Sequence, residues 1–373
     1  MPPRDGPARL IAFYLPQFHP IPENDEWWGK GFTEWRNVVR ARPRFRGHYQ
    51  PHLPADLGFY DLRVPETRQA QADLAREHSV YGFCYYHYWF NGRRLLERPF
   101  QEVLESGRPD FPFCLCWANE EWTRAWDGRT GHVLIGQDYN ESDDREHLRW
   151  LAGAFEDPRY IRVDGKPLFL VYRAGRIPDP RRTTDIWRDE ASKLGIGELM
   201  LCCVESFSDE GGDPWTIGFD AAVEFQPRWR LLRPSLSYRV LRRLGLTRYP
   251  RLSHMVYDYA DVVRTTLGAP TPPYPRIPCV TPMWDNSARR ASLASILHGS
   301  TPDLYEHWLK TTIDRALRSD VPGNIVFVNA WNEWAEGCHL EPCMRWGLSY
   351  LKATKRAVES TAGTEAGETP CPR

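Results

Sequence analysis

The stretch NIVFVNAWNEWAEGCHLEP, residues 324–342, decides how the rest of the chain is read. It opens with a short β-branched apolar run, 324–330, and passes at once into polar and aromatic residues that include Glu333 and Glu336. A short run so dominated by apolar residues is the signature of a strand buried on both faces. Seven further runs of the same kind precede it: 10–15 LIAFYL, 81–90 YGFCYYHYWF, 111–117 FPFCLCW, 167–172 PLFLVY, 199–204 LMLCCV, 219–225 FDAAVEF and 277–281 IPCVT. Between them lie segments with helical periodicity, at 64–78, 142–157, 181–195 and 301–319, some opened by Thr, Ser or Pro with acids in the first turn. Eight strands alternating with helices predict an α/β fold, a single (β/α)8 TIM barrel. A doubly wound open sheet is the rival, but YLPQFHP after the first strand lacks the glycine-rich turn of a nucleotide site.

Three segments depart from this repeat. Residues 16–62 form a first loop too long for an ordinary connection, which marks it for function. Residues 227–275 form an arginine-rich insertion between strands six and seven, open to two readings, a solvated surface or a contact with an anionic membrane or lipid-linked precursor. The catalytic unit is expected to cover 1–358, and the small polar stretch 359–373 to be a disordered tail.

Composition narrows the function classes. The formal net charge of −1 gives no general attraction to nucleic acid. Aromatic residues make up 13% of the chain, with 16 Trp and 17 Tyr, more flat amphipathic surface than a core requires and suited to stacking on sugar rings. The nine cysteines are odd in number and contain no C-x-x-C pair, so buried thiols are expected rather than a zinc or redox site. The stretch MPPRDGPARLIAFYLP has no long apolar h-region, and a reducing cytoplasm is the compartment expected. No metal and no other cofactor is expected.

In a barrel of this kind the reacting groups sit at the carboxyl ends of the strands. Those positions hold Tyr14, Gln17 and His19 after strand one; Tyr86, His87 and Trp89 on strand two; and Trp117, Asn119 and Glu120 after strand three. Glu224 follows strand six, Trp284, Asp285 and Asn286 strand seven, and Trp331, Asn332, Glu333, Trp334 and Glu336 strand eight. Acids, amides and aromatics dominate, with no G-x-S-x-G elbow and no H-E-x-x-H. Paired carboxylates with hydroxyl-binding groups are what glycosidic cleavage needs, and Glu333 and Glu336 are the candidate catalytic pair. On a straight strand they would face opposite ways, so a turn is required near Trp331, and Gly337 permits one. A glutamate such as Glu205 or Glu224 is equally explained as a salt-bridge partner, the histidines as structural, and the strand-two aromatics as barrel filling.

The blocks FYLPQFHPIPENDEWWGKGFTEWRNV, GHYQPHLPADLGFYDLR, GFCYYHYWFNGRRLLERPF, FCLCWANEEWTRAWDG, PMWDNSARR and NAWNEWAEGCHLEP resemble glycoside hydrolase family 99-like proteins of the WbsX type, over residues 9 to 352. The resemblance implies a (β/α)8 barrel acting on a bacterial surface polysaccharide such as O-antigen. It also implies that Glu333 takes the proton of the sugar 2-hydroxyl, giving a 1,2-anhydro sugar, and that Glu336 acts first as acid and then as base, with retention. The family pattern leads one to expect HLEPD, and Cys343 stands in place of that acid. A glycosyltransferase and a non-catalytic carbohydrate-binding protein are the alternatives; the absence of any D-x-D counts against a nucleotide-sugar site.

Overall fold

The structure is a computed structural model and describes residues 7–123, 133–206, 212–234, 240, 243–244 and 254–362. The eight predicted runs become the barrel: β1 Arg9–Tyr14, β2 Gly82–Phe90, β3 Phe113–Trp117, β4 Lys166–Val171, β5 Met200–Glu205, β6 Ala221–Glu224, β7 and β8 Ile325–Val328. All pair in parallel, and β1 pairs with both β2 and β8. Strand β7 closes the ring in two pieces. Arg276–Ile277 pairs with β6, and Cys279–Val280 pairs with β8. Pro278 lies between them because it has no N–H to give a ladder, yet its carbonyl accepts from Phe327 N at 2.8 Å.

Helices α1 Pro22–Trp28 and α2 Trp35–Arg40 lie within the long first loop. The outer ring then follows as α3 Pro65–Glu77, α4 Arg98–Ser106, α5 Glu141–Phe155, α6 Pro180–Lys193, α7 Tyr259–Leu267, α8 Pro302–Leu317 and α9 Ser349–Ala362. Side-chain caps fix several starts: Asn140, Asp179, Asp258 and Thr301 each accept a first-turn backbone N–H. Between β5 and β6 the described residues hold a single 3-10 turn, Pro214–Ile217.

Two boundaries differ from the sequence reading. The segment 227–275 is only partly an insertion, since α7 within it is an ordinary barrel helix. Ahead of α7, Met255–Asp258 pairs in parallel with Ser295–His298, which also pairs with Trp284–Asp285, and this small sheet forms a rim over the barrel mouth. Of its arginines, Arg228 pairs with Glu224 and Arg264 with Asp261, while Arg239, Arg242, Arg248 and Arg251 lie outside the described residues. The second difference is the tail. Helix α9 runs to Ala362, past the expected boundary at 358, because Ala357 and Thr361 are still buried in its packing; residues 363–373 lie outside the described residues.

The first loop is held down by specific contacts with the turns after β7 and β8. His48 and Gln50 reach Asp285 Oδ2 at 2.6 and 2.7 Å, His52 meets His339 at 3.0 Å, and Tyr60 OH donates to Glu341 Oε2 at 2.7 Å. The loop is therefore one wall of the barrel mouth.

Candidate active site

Strand β8 ends at Val328, and the chain then makes the turn that the glutamate pair requires. Asn332–Glu333 pairs antiparallel with Cys338–His339, joined by a 3-10 turn, Trp334–Glu336, and by Gly337 at φ 54°. A side chain on Gly337 would meet Asp285 Cβ at 3.0 Å, so both its left-handed backbone and its lack of a Cβ serve this turn. The turn is anchored from below by Glu341. This buried carboxyl accepts from Gln71 Nε2, Tyr60 OH and Trp334 Nε1 at 2.6, 2.7 and 2.6 Å. Asn332 ties the turn to β1, accepting from Leu15 N at 2.7 Å and donating to Leu15 O at 3.0 Å.

Glu333 and Glu336 converge on one guanidinium. Arg289 Nη1 donates to Glu336 Oε1 at 2.7 Å, and Nη2 to Glu333 Oε2 at 3.3 Å. A third carboxyl, the fully buried Glu34 of the first loop, accepts from the same arginine at 3.2 Å. Glu333 and Glu336 thus share one cation in a largely buried site, which disfavours ionisation of both together. Burial raises the Glu333 carboxyl well above the usual carboxylate range; Arg289 opposes the rise, and Glu336 and Glu34 add to it. Burial also raises Glu336, against the pull of Arg289. The Glu336 side chain, 20% exposed against 9% for Glu333, has the shorter ion pair.

Glu34 is buried behind the other three; Glu333, Glu336 and Arg289 line a cavity of about 700 Å³ at the carboxyl ends of the strands, a size suited to a small ligand or a short stretch of sugar. Its walls are aromatic: Trp28, Tyr86, Tyr88, Trp122, Tyr172, Trp229, Tyr257 and Trp284. They support one another edge to face, as in Trp229–Trp284 at 5.8 Å, Tyr88–Trp122 at 5.4 Å and Tyr86–Tyr172 at 6.0 Å.

Of the residues expected at the site, Gln17, Tyr86, Glu120, Trp284, Asn286, Glu333 and Glu336 line this cavity. The others serve the fold around it. His87 and Trp89 sit on the opposite face of β2 from Tyr86 and Tyr88: His87 stacks on Trp150 and contacts His147, and Trp89 Nε1 donates to Asp143, all on α5. Tyr14 donates to Gln71 on α3, and Trp117 packs outward against His147 and Trp187. His19 is buried away from the cavity, and burial pushes its imidazole down to about 4. Asn119 bonds to Arg173 and Tyr139, Glu224 to Gln226 and Arg228, and Asp285 to His48 and Gln50. Asn332 is consumed by Leu15. Trp331 packs on Phe83, and Trp334 stacks on His339 with their ring centroids 3.8 Å apart. The tryptophans beside the glutamates are therefore props beneath the turn, and the stacking wall comes from other loops.

The sequence reading missed Arg289, Glu34, Asn24, Trp28, Tyr88, Trp122, Trp229 and Tyr257. Arg289 stands in PMWDNSARR directly after β7, and Asn24, Trp28, Glu34, Tyr88 and Trp122 also stand in the blocks quoted above, whereas Trp229 and Tyr257 stand in none. Among the described residues no group of three or more His, Cys, Asp or Glu is placed to hold a metal. The eight described cysteines are buried and form no disulfide with one another; Cys371 lies outside the described residues.

A parallel eight-stranded barrel with an acidic, aromatic mouth has the fold of known glycoside hydrolases. The GH99 endo-α-mannosidase of Bacteroides thetaiotaomicron, solved in complex with bis-tris-propane, superposes with a TM-score of 0.56 at 14% identity, over 96% of this chain and 99% of that one. A structure described as a glycoside hydrolase-like protein gives a TM-score of 0.60 at 16% identity, over 96% of each chain. The chain belongs to the family described as glycosyltransferase WbsX, whose model matches residues 10–354. It is 47% identical over 357 residues to the uncharacterized protein WxcX of Xanthomonas campestris pv. campestris, in strains B100 and ATCC 33913. That match takes in 95% of this chain and 50% of the relative, so the chain spans about half the length of the curated relatives it matches.

Proposed function

We propose that this chain cleaves glycosidic bonds in a bacterial surface polysaccharide or its precursor, with retention of configuration. The observation that carries the reading is the convergence of Glu333 and Glu336 on Arg289 in the lining of an aromatic cavity. Two carboxyl groups with raised and mutually dependent affinities for protons are the equipment of acid and base catalysis near neutral pH. On the roles that the resemblance implies, Glu333 accepts the proton of the 2-hydroxyl while O2 bonds to the anomeric carbon. Glu336 gives its proton to the departing glycosidic oxygen, then takes one from the water that attacks the anomeric carbon, while the C1–O2 bond breaks and Glu333 returns its proton to O2. A sugar O2–H presented to Glu333 favours its ionised form, which leaves the shared proton to Glu336. Arg289, bonded to both, stabilises whichever carboxylate is charged.

The description of the family favours a second reading, transfer of the glycosyl group to another sugar. In the same site an acceptor hydroxyl would replace the water. The test is incubation with purified bacterial surface polysaccharides, with and without added acceptor oligosaccharides, scoring released and elongated products. Glu333→Gln and Glu336→Gln should each lower turnover by at least ~10²-fold with the fold intact. Turnover at the wild-type rate in either variant overturns the assignment. Products larger than the donor decide for transfer.

A further inference from the structure

We propose that Asn24, on the first-loop helix α1, reads a pair of adjacent hydroxyls on the sugar that the cavity takes, and that Trp28 is the platform on which that ring stacks. The inference deepens the carbohydrate reading above and rests on it. Asn24 and Trp28 stand four residues apart on α1, which places them on one face of the helix, and both line the cavity. Asn24 is fully buried, yet neither its Nδ2 nor its Oδ1 has a hydrogen-bond partner among the described residues. Such an arrangement is uncommon, because a buried polar atom without a partner keeps the whole cost of its desolvation. Orphan atoms in a packed core would be a plain defect. These belong to a residue that lines a cavity, one helical turn from the aromatic ring of Trp28.

The chemistry of the amide selects the ligand. Nδ2 donates and Oδ1 accepts, so the group matches two neighbouring hydroxyls, one accepting and the other donating. A carboxylate or phosphate would satisfy only Nδ2 and would face Oδ1 with a second acceptor. An apolar ligand would satisfy neither atom. Two further groups extend the polar edge: Gln17 lines the cavity from the same loop, and Trp284 presents a buried indole Nε1–H that also has no partner among the described residues. The occupant is therefore a pyranose with two adjacent unsubstituted hydroxyls, its apolar C–H face toward Trp28.

A residue that serves a ligand and one that serves the fold respond oppositely to Asn24→Leu. The leucine fills nearly the same volume and removes two unpartnered polar atoms, so the melting temperature of the free protein should be unchanged or raised. Binding should weaken at the same time by at least ~10-fold, the loss of one to two good hydrogen bonds. The probes are methyl mannoside, methyl glucoside, their 2-deoxy and 3-deoxy forms and short manno- and gluco-oligosaccharides, titrated against tryptophan fluorescence. With wild-type protein, removing one hydroxyl of the recognised pair should weaken binding, and Asn24→Leu should abolish that discrimination. A melting temperature lowered by several degrees in Asn24→Leu would make Asn24 a structural residue and overturn the proposal. So would equal binding by variant and wild type, or no binding of any probe by the wild type. Because the readout is binding, loss of turnover with binding retained would count against the proposed reaction and leave the subsite standing.

Discussion

Replacing Arg289 by methionine should destabilise the protein in a manner that depends on pH. The arginine makes contacts at 2.7, 3.2 and 3.3 Å with Glu336, Glu34 and Glu333, and its own side chain is only 12% exposed. Charge-assisted hydrogen bonds contribute roughly 1.5–3 kcal/mol each, but the arginine's own desolvation offsets part of that. Breaking such a buried cluster by removing one partner costs about 3–5 kcal/mol. The pH dependence follows from the direction of the shifts. Glu333 and Glu336 are raised above their ordinary values even with Arg289 present, and Arg289 is the main influence holding them down. Without it they rise further, so the variant retains its protons across an interval in which the wild type has released them. In that interval wild type is favoured increasingly as pH rises. The loss should be smaller at acid pH, where the guanidinium faces neutral carboxyl groups on Glu333 and Glu336, and should grow to about 3–5 kcal/mol on the alkaline side, where they are ionised. Urea unfolding of both proteins, followed by tryptophan fluorescence from about pH 5 to about pH 9, measures the difference. A loss below about 1 kcal/mol throughout, or one independent of pH, would refute the idea that Arg289 neutralises this carboxyl cluster.

Other outcomes follow from the same geometry. If Glu333 is the base, kcat/KM should rise with pH through a value well above the ordinary carboxylate range, since burial holds its proton on. A rising limb near the ordinary carboxylate value would exclude it. Glu341→Ala strands the donors of Gln71, Tyr60 and Trp334, and should cost roughly 3–5 kcal/mol by denaturant unfolding; stability like that of wild type would mean that this carboxyl does not hold the β8 turn. Burial pushes Glu341 up to about 7, so its contribution to stability is greatest below its ordinary value and declines as pH rises towards neutrality. For the arginine-rich segment, the proposal of membrane contact predicts that Arg242→Ser with Arg243→Ser lowers co-sedimentation with anionic liposomes in a salt-dependent way; equal sedimentation of both proteins with neutral and anionic liposomes would leave the structural reading.

The sequence by itself determined the barrel and its catalytic candidates. Each barrel strand is covered on both faces, so it appears as a predominantly apolar run, and the helices between show the period of a half-buried cylinder. Glu333 and Glu336 were legible because two acids and a glycine follow such a run directly. The lining of the cavity was not. In YGFCYYHYWF both faces of β2 are aromatic, so alternation gave no sign that Tyr86 and Tyr88 face the cavity while His87 and Trp89 face α5. Trp331 and Trp334 neighbour the glutamates in sequence, yet a turn sends their side chains into the core. Glu34, Asn24 and Trp28 come from the first loop and Arg289 from the turn after β7, and what joins them is contact across hundreds of residues. Local pattern records which residues need burial. Which of them share a cavity, and which cation answers three buried acids, is decided only when the closed barrel brings distant loops to one mouth.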